Sequence, residues 1–236
     1  MAIDQALLDA AERGSAVLRL YRWEPACLSF GRNEPALRRY DRRKIAALGL
    51  SVVRRPTGGR AVWHDEELTY AVAAPATLFG DLPAAYRRIH EMLAEAVALL
   101  GAAPSLAARP LAPTGLDAGA CFAVPAGGEV LVGGKKVVGS AQVRQGSALL
   151  QHGSLLLGGS QRTVGAVSVG LPPPQGETSL SAALGREVSF EEAAGAIAEA
   201  AGVPESLDAA SGVAVVLEAA AAHELQFGSE EWTWRR

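Results

Sequence analysis

The segment that decides the fold is RRPTGGRAVWHD, which spans residues 54–65. Its paired glycines separate two short runs suited to strands, so it predicts a strand, a glycine loop and a second strand. Gly58 and Gly59 let the backbone approach a ligand closely and aim amide hydrogens at it. Arg55 and Arg60 supply positive charge for a carboxylate or a phosphate. A plain hairpin turn with exposed arginines has the same pattern, whereas a nucleotide-hydrolase phosphate loop is excluded because no Gly-Lys-Ser/Thr follows the glycines.

Two strands and a helix are predicted ahead of this segment. Val17–Tyr21 and Cys27–Phe30 are short apolar runs bounded by turn residues, which suits two strands with a turn between them. A helix fits Pro35–Leu48 and ends at Gly49, where a left-handed cap is favoured.

Strands and helices continue after the segment. A strand is predicted over Leu68–Ala73 and a helix over Pro83–Leu100, whose apolar residues recur at helical spacing. The two glycines at 133–134 predict a hairpin turn. The apolar run Leu149–Leu157 predicts a buried strand, and QHGS at residues 151–154 interrupts it. Polar side chains in such a place need hydrogen-bond partners or a function.

Length and composition fit one sizeable core. The chain has 236 residues, of which 49% are hydrophobic. Strands dominate up to the prolines at 172–174 and helices follow, beginning with a capping box at Ser189 and Glu192. We therefore predict a core that carries the active site over residues 1–175 and a helical C-terminal appendage of the same domain over residues 176–236.

The charge balance argues against nucleic acid and membranes as partners. The net charge is −3 and the pI is near 5.9, so no global basic field is present. Five basic residues between 38 and 44 form a local run, which is either a solvated helix face or a docking patch for an acidic partner. Two cysteines cannot form a disulfide framework, no leader is recognisable, and no apolar run reaches the roughly 18 residues of a membrane span. These features predict a cytoplasmic protein.

Two residues fifteen positions apart are candidates for group-transfer chemistry. Lys136 precedes a turn of small residues and is either a surface charge or a fixed cation that lowers the pKa of a neighbour. Cys121 is a nucleophile only as a thiolate, which a nearby ammonium favours. A lone cysteine is otherwise a small buried hydrophobic residue, and this is the interpretation for Cys27 in its apolar strand.

His64 and His152 also invite a catalytic interpretation. A thiol-protease dyad with Cys121 lacks the local glycine signatures of those enzymes. No second ligand stands at metal spacing, so no metal site is predicted. We interpret both histidines as polar lining or support of the site.

Four motifs in one order resemble the biotin/lipoate protein ligase superfamily, which includes lipoate-protein ligase A and the octanoyltransferases of lipoate assembly. They are LSFGR at 28–32, the segment 54–65, GKKVVGSAQ at 134–142 and QHGS at 151–154. The resemblance covers most of residues 2–157, and SEEW at 229–232 is similar to the ending of the octanoyltransferase branch. It implies an α/β fold with a mixed central sheet flanked by helices, which the order of predicted elements permits.

The resemblance also implies roles for individual residues. The surroundings of Cys121 and its separation from Lys136 resemble the cysteine-dependent branch, so Cys121 would accept the acyl group and Lys136 would lower its pKa. The acyl and substrate site would be lined by the glycine loop and by two later clusters: Arg55, Gly58, Gly59, Arg60, His64, Gly139, Ser140, Ala141, His152 and Gly153. Backbone amides near Gly139 and Ser140 are candidates for the oxyanion donors.

The implied reaction moves octanoyl from acyl carrier protein through a Cys121 thioester to a lysine of a lipoyl domain, such as the glycine-cleavage H protein. Both steps start from thioesters, so no cofactor is required. SFGRN at 29–33 is closer to the ligases, and the alternative is an ATP-dependent lipoate or octanoate ligase that uses ATP and Mg, or a lipoyl amidotransferase. A module that binds an acyl carrier or biotin domain without catalysis is a third possibility, in which neither Cys121 nor Lys136 matters beyond affinity.

Overall fold

The computed structural model describes residues 1–108, 127–170, 176–203 and 209–235, and it confirms the expected α/β class. Its strands are β1 (Val17–Tyr21), β2 (Cys27–Phe30), β3 (Ser51–Arg54), β4 (Val62–His64), β5 (Glu67–Pro75), β6 (Pro104–Leu106), β7 (Val130–Val132), β8 (Lys135–Lys136), β9 (Val138–Gln145) and β10 (Ala148–Leu156). Its helices are α1 (Ala2–Glu12), α2 (Ala36–Arg39), α3 (Arg42–Ala47), α4 (Leu82–Leu99), α5 (Arg162–Val167), α6 (Leu180–Leu184), α7 (Phe190–Ala200), α8 (Ala209–Gly228) and α9 (Glu230–Trp234).

The largest sheet has the strand order β1-β5-β10-β9, and every neighbouring pair in it is antiparallel. Alternation along β5 explains its central position, because successive side chains point to opposite faces of a strand. Leu68 and Tyr70 face a core completed by α4 and α7, and Ala71 and Ala73 face a second core completed by α1. Both faces of the sheet are therefore covered by helices.

Two smaller sheets complete the described structure. In the order β3-β2-β4, β2 pairs with β3 in parallel and with β4 antiparallel, so the mixed character of the fold lies in this sheet. Helices α2, α3, α5 and α9 pack on it around Phe30, Tyr40 and Trp234. The third sheet is the antiparallel β6-β7-β8, in which Gly133 and Gly134 form the turn between β7 and β8 with φ values of 57° and 74°. The predicted hairpin is thus confirmed.

The predicted helix over Pro35–Leu48 is wrong as a single element. Tyr40 has φ −126° and ψ 137°, which ends α2, and α3 begins after Asp41. The Asp41 carboxylate accepts hydrogen bonds from the backbone N–H groups of Arg43 and Lys44, so it caps a new helix. Tyr40 is held in the core by stacking on Phe30. The end of α3 at Gly49, with φ 64°, agrees with the prediction.

The C-terminal helices pack against earlier elements. Ala193 and Ile197 of α7 belong to the core that α4 shares with the large sheet, and α8 lies along α1. Arg54 at the end of β3 donates to the carbonyl oxygens of Thr233 and Arg235, which ties the end of α9 to the sheet β3-β2-β4, called the middle sheet below. The predicted boundary between the core and the C-terminal appendage lies at residue 175. Residues 171–175 are outside the described residues, so this boundary stays a prediction. Within the described ranges, no helix is long and apolar enough to cross a membrane.

Candidate active site

A narrow cavity lies where the large sheet meets the middle sheet. It encloses about 330 Å³ of space free of atoms, part of which is open to solvent. Arg55, His64, Gly139, Ser140, Ala141, His152 and Gly153 line it, together with Met1, Tyr21, Trp23, Val62, Thr69 and Ser154. Seven of the predicted site residues therefore meet at one cavity, although they come from four separate strands and loops.

The glycine loop at 57–60 borders this cavity and is held by Arg55. The Arg55 guanidinium donates to the carbonyl oxygens of Ser29, Gly58 and Arg60, at 2.9, 3.1 and 2.8 Å, and to the Ser29 hydroxyl at 2.7 Å. Gly59 has φ +85°, which favours glycine at this position. The loop is thus fixed by a buried cation bound to carbonyl oxygens, and Gly58, Gly59 and Arg60 lie beside the cavity without lining it.

One side of the cavity is built on His152. Its Nδ1 lies 2.9 Å from Asp4 Oδ2, and its Nε2 lies 2.6 Å from the Thr57 hydroxyl. Burial would raise the pKa of Asp4, but the hydrogen bond from His152 and the charges of His152 and Arg19 outweigh it and hold this pKa well below its usual range. Burial in turn lowers the pKa of His152. His152 therefore joins α1 to the glycine loop.

The other side of the cavity is built on His64. Its Nε2 lies 2.6 Å from the Ser29 hydroxyl and its Nδ1 lies 2.7 Å from Glu67 Oε1, and the Trp23 ring stacks on it at 4.6 Å. This arrangement has the order of a serine-hydrolase triad. Ser29 is fully buried, however, and its hydroxyl already accepts from Arg55, so it supports His64 and does not reach a substrate. Both histidines therefore lie at the cavity, and their role in the site stays a prediction.

Strands β9 and β10 form the wall between them. Gly153 lies opposite Ser140 in the antiparallel pairing. A Cβ atom at Gly153 would collide with the Gly139 carbonyl and come within 2.9 Å of the Tyr70 ring, so this position requires glycine. The Ser140 hydroxyl lies 2.6 Å from the Tyr70 hydroxyl and 2.8 Å from His90 Nε2. Gln151 donates to the Tyr70 hydroxyl and accepts from Gln142, and Ser154 bonds to His64, so the polar interruption of β10 has its hydrogen-bond partners.

Lys136 lies behind this wall and is 1% exposed. Its Nζ donates to Glu129 Oε1 at 2.6 Å, in a pair whose carboxylate side chain is 3% exposed. The charge of Lys136 acts on His90: burial is the larger cause and the lysine the second cause of a His90 pKa lowered to about 3. Lys136 is therefore a buried, fixed cation near the cavity and not a surface charge.

The two cysteines differ in what the structure says of them. Cys121 lies outside the described residues. Cys27 is buried in β2, and burial raises its pKa to about 12. A thiol in that state is protonated at neutral pH, which agrees with the structural role predicted for Cys27.

Four charged or titratable partners were not found by sequence reasoning: Asp4, Glu67, His90 and Glu129. Each is at least nine-tenths buried and each bonds to a site residue or its neighbour. Only Glu67, three residues after His64, gave a local signal. No group of three or more metal-ligating side chains is present among the residues with described positions.

Solved structures identify the fold. Lipoate-protein ligase A bound with ATP matches 99% of this chain and 92% of its own with a TM-score of 0.77 at 21% identity. A putative lipoate protein ligase from T. acidophilum with bound lipoic acid has the same coverage with a TM-score of 0.75 at 21% identity. The fold is therefore that of the lipoate-protein ligases.

The chain belongs to the lipoyl protein ligase A/B catalytic domain family, whose model matches residues 1–202. It is similar to the octanoyltransferase LipM of Kyrpidia tusciae, with 42% identity over 155 residues, and to that of Staphylococcus aureus, with 39% identity over 155 residues. Each match covers 61% of this chain and 56% of the relative, so the chain spans little more than half the length of the curated relatives it matches.

Proposed function

We propose that the protein is an octanoyltransferase that moves octanoyl from acyl carrier protein, through a thioester on Cys121, to a lysine of a lipoyl domain. The observation that carries the proposal is the similarity, at 38 to 42% identity, to proteins named octanoyltransferase. The cavity supports it, because nine of its thirteen lining residues come from three of the motifs that carry the resemblance, at 54–65, 134–142 and 151–154.

The choice of Cys121 rests on elimination as well as on resemblance. The chain has two cysteines, and Cys27 is buried with a raised pKa. A thioester intermediate on this chain therefore requires Cys121. Lys136, already buried and fixed by Glu129, is the cation proposed to stabilise its thiolate.

The first step forms one thioester and breaks another. The Cys121 sulfur attacks the octanoyl carbonyl carbon, and the carrier sulfur leaves and takes up a proton. In the second step the amine of the acceptor lysine attacks the same carbon, the bond to Cys121 breaks, and the proton lost by nitrogen returns to sulfur. The first exchange is nearly thermoneutral and the second runs downhill, so the proposed reaction requires neither ATP nor Mg.

Each step passes through a tetrahedral oxyanion that needs donors. One well-placed donor contributes about 3 to 4 kcal/mol in such reactions. The backbone amides near Gly139 and Ser140 are the proposed donors, because both residues line the cavity and lie on a strand fixed by its pairing with β10. A rigid strand holds donors in place before charge develops, which is what this kind of stabilisation requires.

Intact mass measures the proposed intermediate directly. The protein is incubated with octanoyl-acyl carrier protein without ATP, as wild type, as Cys121→Ala and as Cys27→Ala. We expect an octanoyl adduct on wild type and on Cys27→Ala that hydroxylamine removes, and none on Cys121→Ala. The Cys27 variant is the matched control, since it removes the chain's other thiol.

The ATP-dependent ligase predicts the opposite pattern. It gives no adduct from octanoyl-acyl carrier protein, and it acylates a lipoyl domain from free octanoate, ATP and Mg with or without Cys121. That pattern would exclude the octanoyltransferase.

A further inference from the structure

Charge is distributed very unevenly along this chain. Residues 32–60 carry nine basic and two acidic side chains, while the rest of the chain carries thirteen basic and twenty-three acidic ones. A small net charge therefore conceals a strongly basic part and a strongly acidic remainder. Such separation creates local fields that steer charged partners.

Burial divides the basic residues of this part into two groups. Arg54, Arg55 and Arg60 are buried, and the first two bind backbone carbonyl oxygens. The other group is exposed on α2 and α3 and comprises Arg38, Arg42, Arg43 and Lys44, which we call the basic surface. The remaining two basic residues belong to neither group, because Arg32 is exposed in the loop before α2 and Arg39 is partly buried. Ala36 of α2 and Ile45 of α3 face the core, whereas the basic surface faces solvent together with Leu37.

Most of the basic surface has no compensating charge. Arg42 pairs with Glu230 at 3.2 Å and lies over the Trp234 ring. Among the residues that the structure describes, no carboxylate forms a salt bridge with Arg38, Arg43 or Lys44. The nearby Asp41 carboxylate is engaged with backbone N–H groups at the start of α3.

The basic surface is linked to the cavity through a short path. The loop before α2 begins at Gly31 and Arg32, and the Arg32 N–H donates to the Thr57 carbonyl at 2.7 Å. Thr57 in turn bonds to His152, which lines the cavity. The loop that leads into α2 is therefore bonded to the glycine loop that borders the proposed site.

A second surface near the cavity has the opposite charge. An open groove shares Trp23 and His64 with the cavity and is lined by Asp65, Glu66, Glu67, Glu187 and Glu191, with Arg22 as the basic side chain among them. An acidic partner is repelled by this groove and attracted by the basic surface. The two surfaces thus favour different approaches for partners of different charge.

We infer that the basic surface is the docking site of the acyl donor, an acidic carrier protein whose thioester hangs on a phosphate-bearing arm. The inference rests on the proposed function. Charge complementarity selects the donor: its reactive arm is anionic, whereas the reactive group of the acceptor is a lysine. Exposed charges of this kind act mainly on the association rate and lose their effect as salt screens them.

The test compares two donors and two triple variants. Octanoyl-acyl carrier protein carries the acidic protein, and octanoyl-pantetheine has the same thioester without the protein or the phosphate. The first variant is Arg38→Gln, Arg43→Gln, Lys44→Gln. The matched control, Arg13→Gln, Arg88→Gln, Arg144→Gln, removes the same charge from exposed positions on other elements.

We expect the first variant to lose about tenfold or more in kcat/KM with the carrier-protein donor at low salt. Its rate with octanoyl-pantetheine and its KM for the lipoyl domain should stay at the wild-type values. The salt dependence of wild type should be absent from this variant and present in the control variant.

Four results would overturn the inference. They are an unchanged kcat/KM with the carrier protein, an equal loss with both donors, an increased KM for the lipoyl domain with donor use unchanged, and a loss confined to binding of anionic vesicles. An unchanged kcat/KM or an equal loss with both donors would show that the carrier protein does not dock on the basic surface. An increased KM for the lipoyl domain would assign this surface to the acceptor, and a loss confined to vesicle binding would assign it to a membrane. Failure of the proposed function is distinct, because wild type then forms no adduct with either donor.

Discussion

His90 offers the prediction that the structure defines most sharply. Its ring is buried in α4 against the Ser140 hydroxyl and near Lys136, and burial and the lysine lower its pKa from 6.5 to about 3. The folded pKa lies below the unfolded one, so the unfolded chain takes up a proton first as the pH falls. Stability contributed by neutral His90 is therefore complete above about pH 6.5 and is lost as the pH falls from 6.5 towards 3.

The size of this loss follows from the two pKa values. Between pH 8 and pH 5, proton uptake by the unfolded chain lowers the free energy of unfolding by RT ln(1 + 10^1.5), or about 2 kcal/mol. The folded state contributes almost nothing at pH 5 as long as its pKa lies below about 4, so the figure depends little on the folded value. His152 further lowers the free energy of unfolding as the pH falls, because its pKa in the folded protein is also lowered.

The variant His90→Gln separates the two histidines. Gln does not titrate and can still bond to Ser140, so the loss from pH 8 to pH 5 should shrink by about 2 kcal/mol relative to wild type. Urea unfolding followed by tryptophan fluorescence at both pH values measures this difference. Arg88→Gln, on the exposed side of the same helix, should keep the wild-type loss. If the free energy of unfolding falls by the same amount between pH 8 and pH 5 in wild type and in His90→Gln, the reasoning is refuted.

Three further changes test the site and the fold. Lys136→Met leaves the Glu129 carboxylate buried without its ammonium, and we expect a loss of about 3 kcal/mol in the free energy of unfolding by urea titration, with a smaller loss in Lys136→Met, Glu129→Leu. An equal loss in the two variants would contradict the ion pair. Gly153→Ala places a methyl group against the Tyr70 ring and should lower acyl transfer at least tenfold, measured as adduct formation, because the wall of the cavity must move. Asp41→Ala removes the cap of α3 and should lower the free energy of unfolding by about 1 kcal/mol, measured by thermal unfolding. Asp41→Asn keeps a side-chain oxygen that can accept the same hydrogen bonds, so it should keep most of the stability that the cap provides.

Local patterns predict the elements of this fold well because glycines and alternating apolar residues act over a few positions. The strands at 17–21 and 27–30 and the hairpin at Gly133 and Gly134 agree with the structure for this reason. The break at Tyr40 was missed because the helical pattern runs through it. Asp41 is a favourable cap residue, but the break itself depends on tertiary contacts: Tyr40 stacks on Phe30 and forms a β-bridge with Ser168.

The residues that line the site can be predicted where they belong to a sequence motif. The residues that hold the lining residues in place by hydrogen bonds cannot be predicted in this way. His64 and His152 stand in recognisable segments, but Asp4 is 148 residues from His152 and has no marked surroundings in the sequence. His90 lies on the buried face of an ordinary amphipathic helix. Partners of this kind are chosen by tertiary contact, so no local pattern indicates them.

These buried partners explain how a small cavity stays open between two sheets. A buried polar side chain is costly unless it is hydrogen-bonded, and His64 and His152 each hold a carboxylate on one ring nitrogen and a hydroxyl on the other. Each histidine therefore links a wall of the cavity to a different part of the core. Moving the sheets apart would break these hydrogen bonds, so the two links stabilise the arrangement of the sheets around the cavity. A change at Asp4 or Glu67 should then disturb acyl transfer although neither side chain lines the cavity.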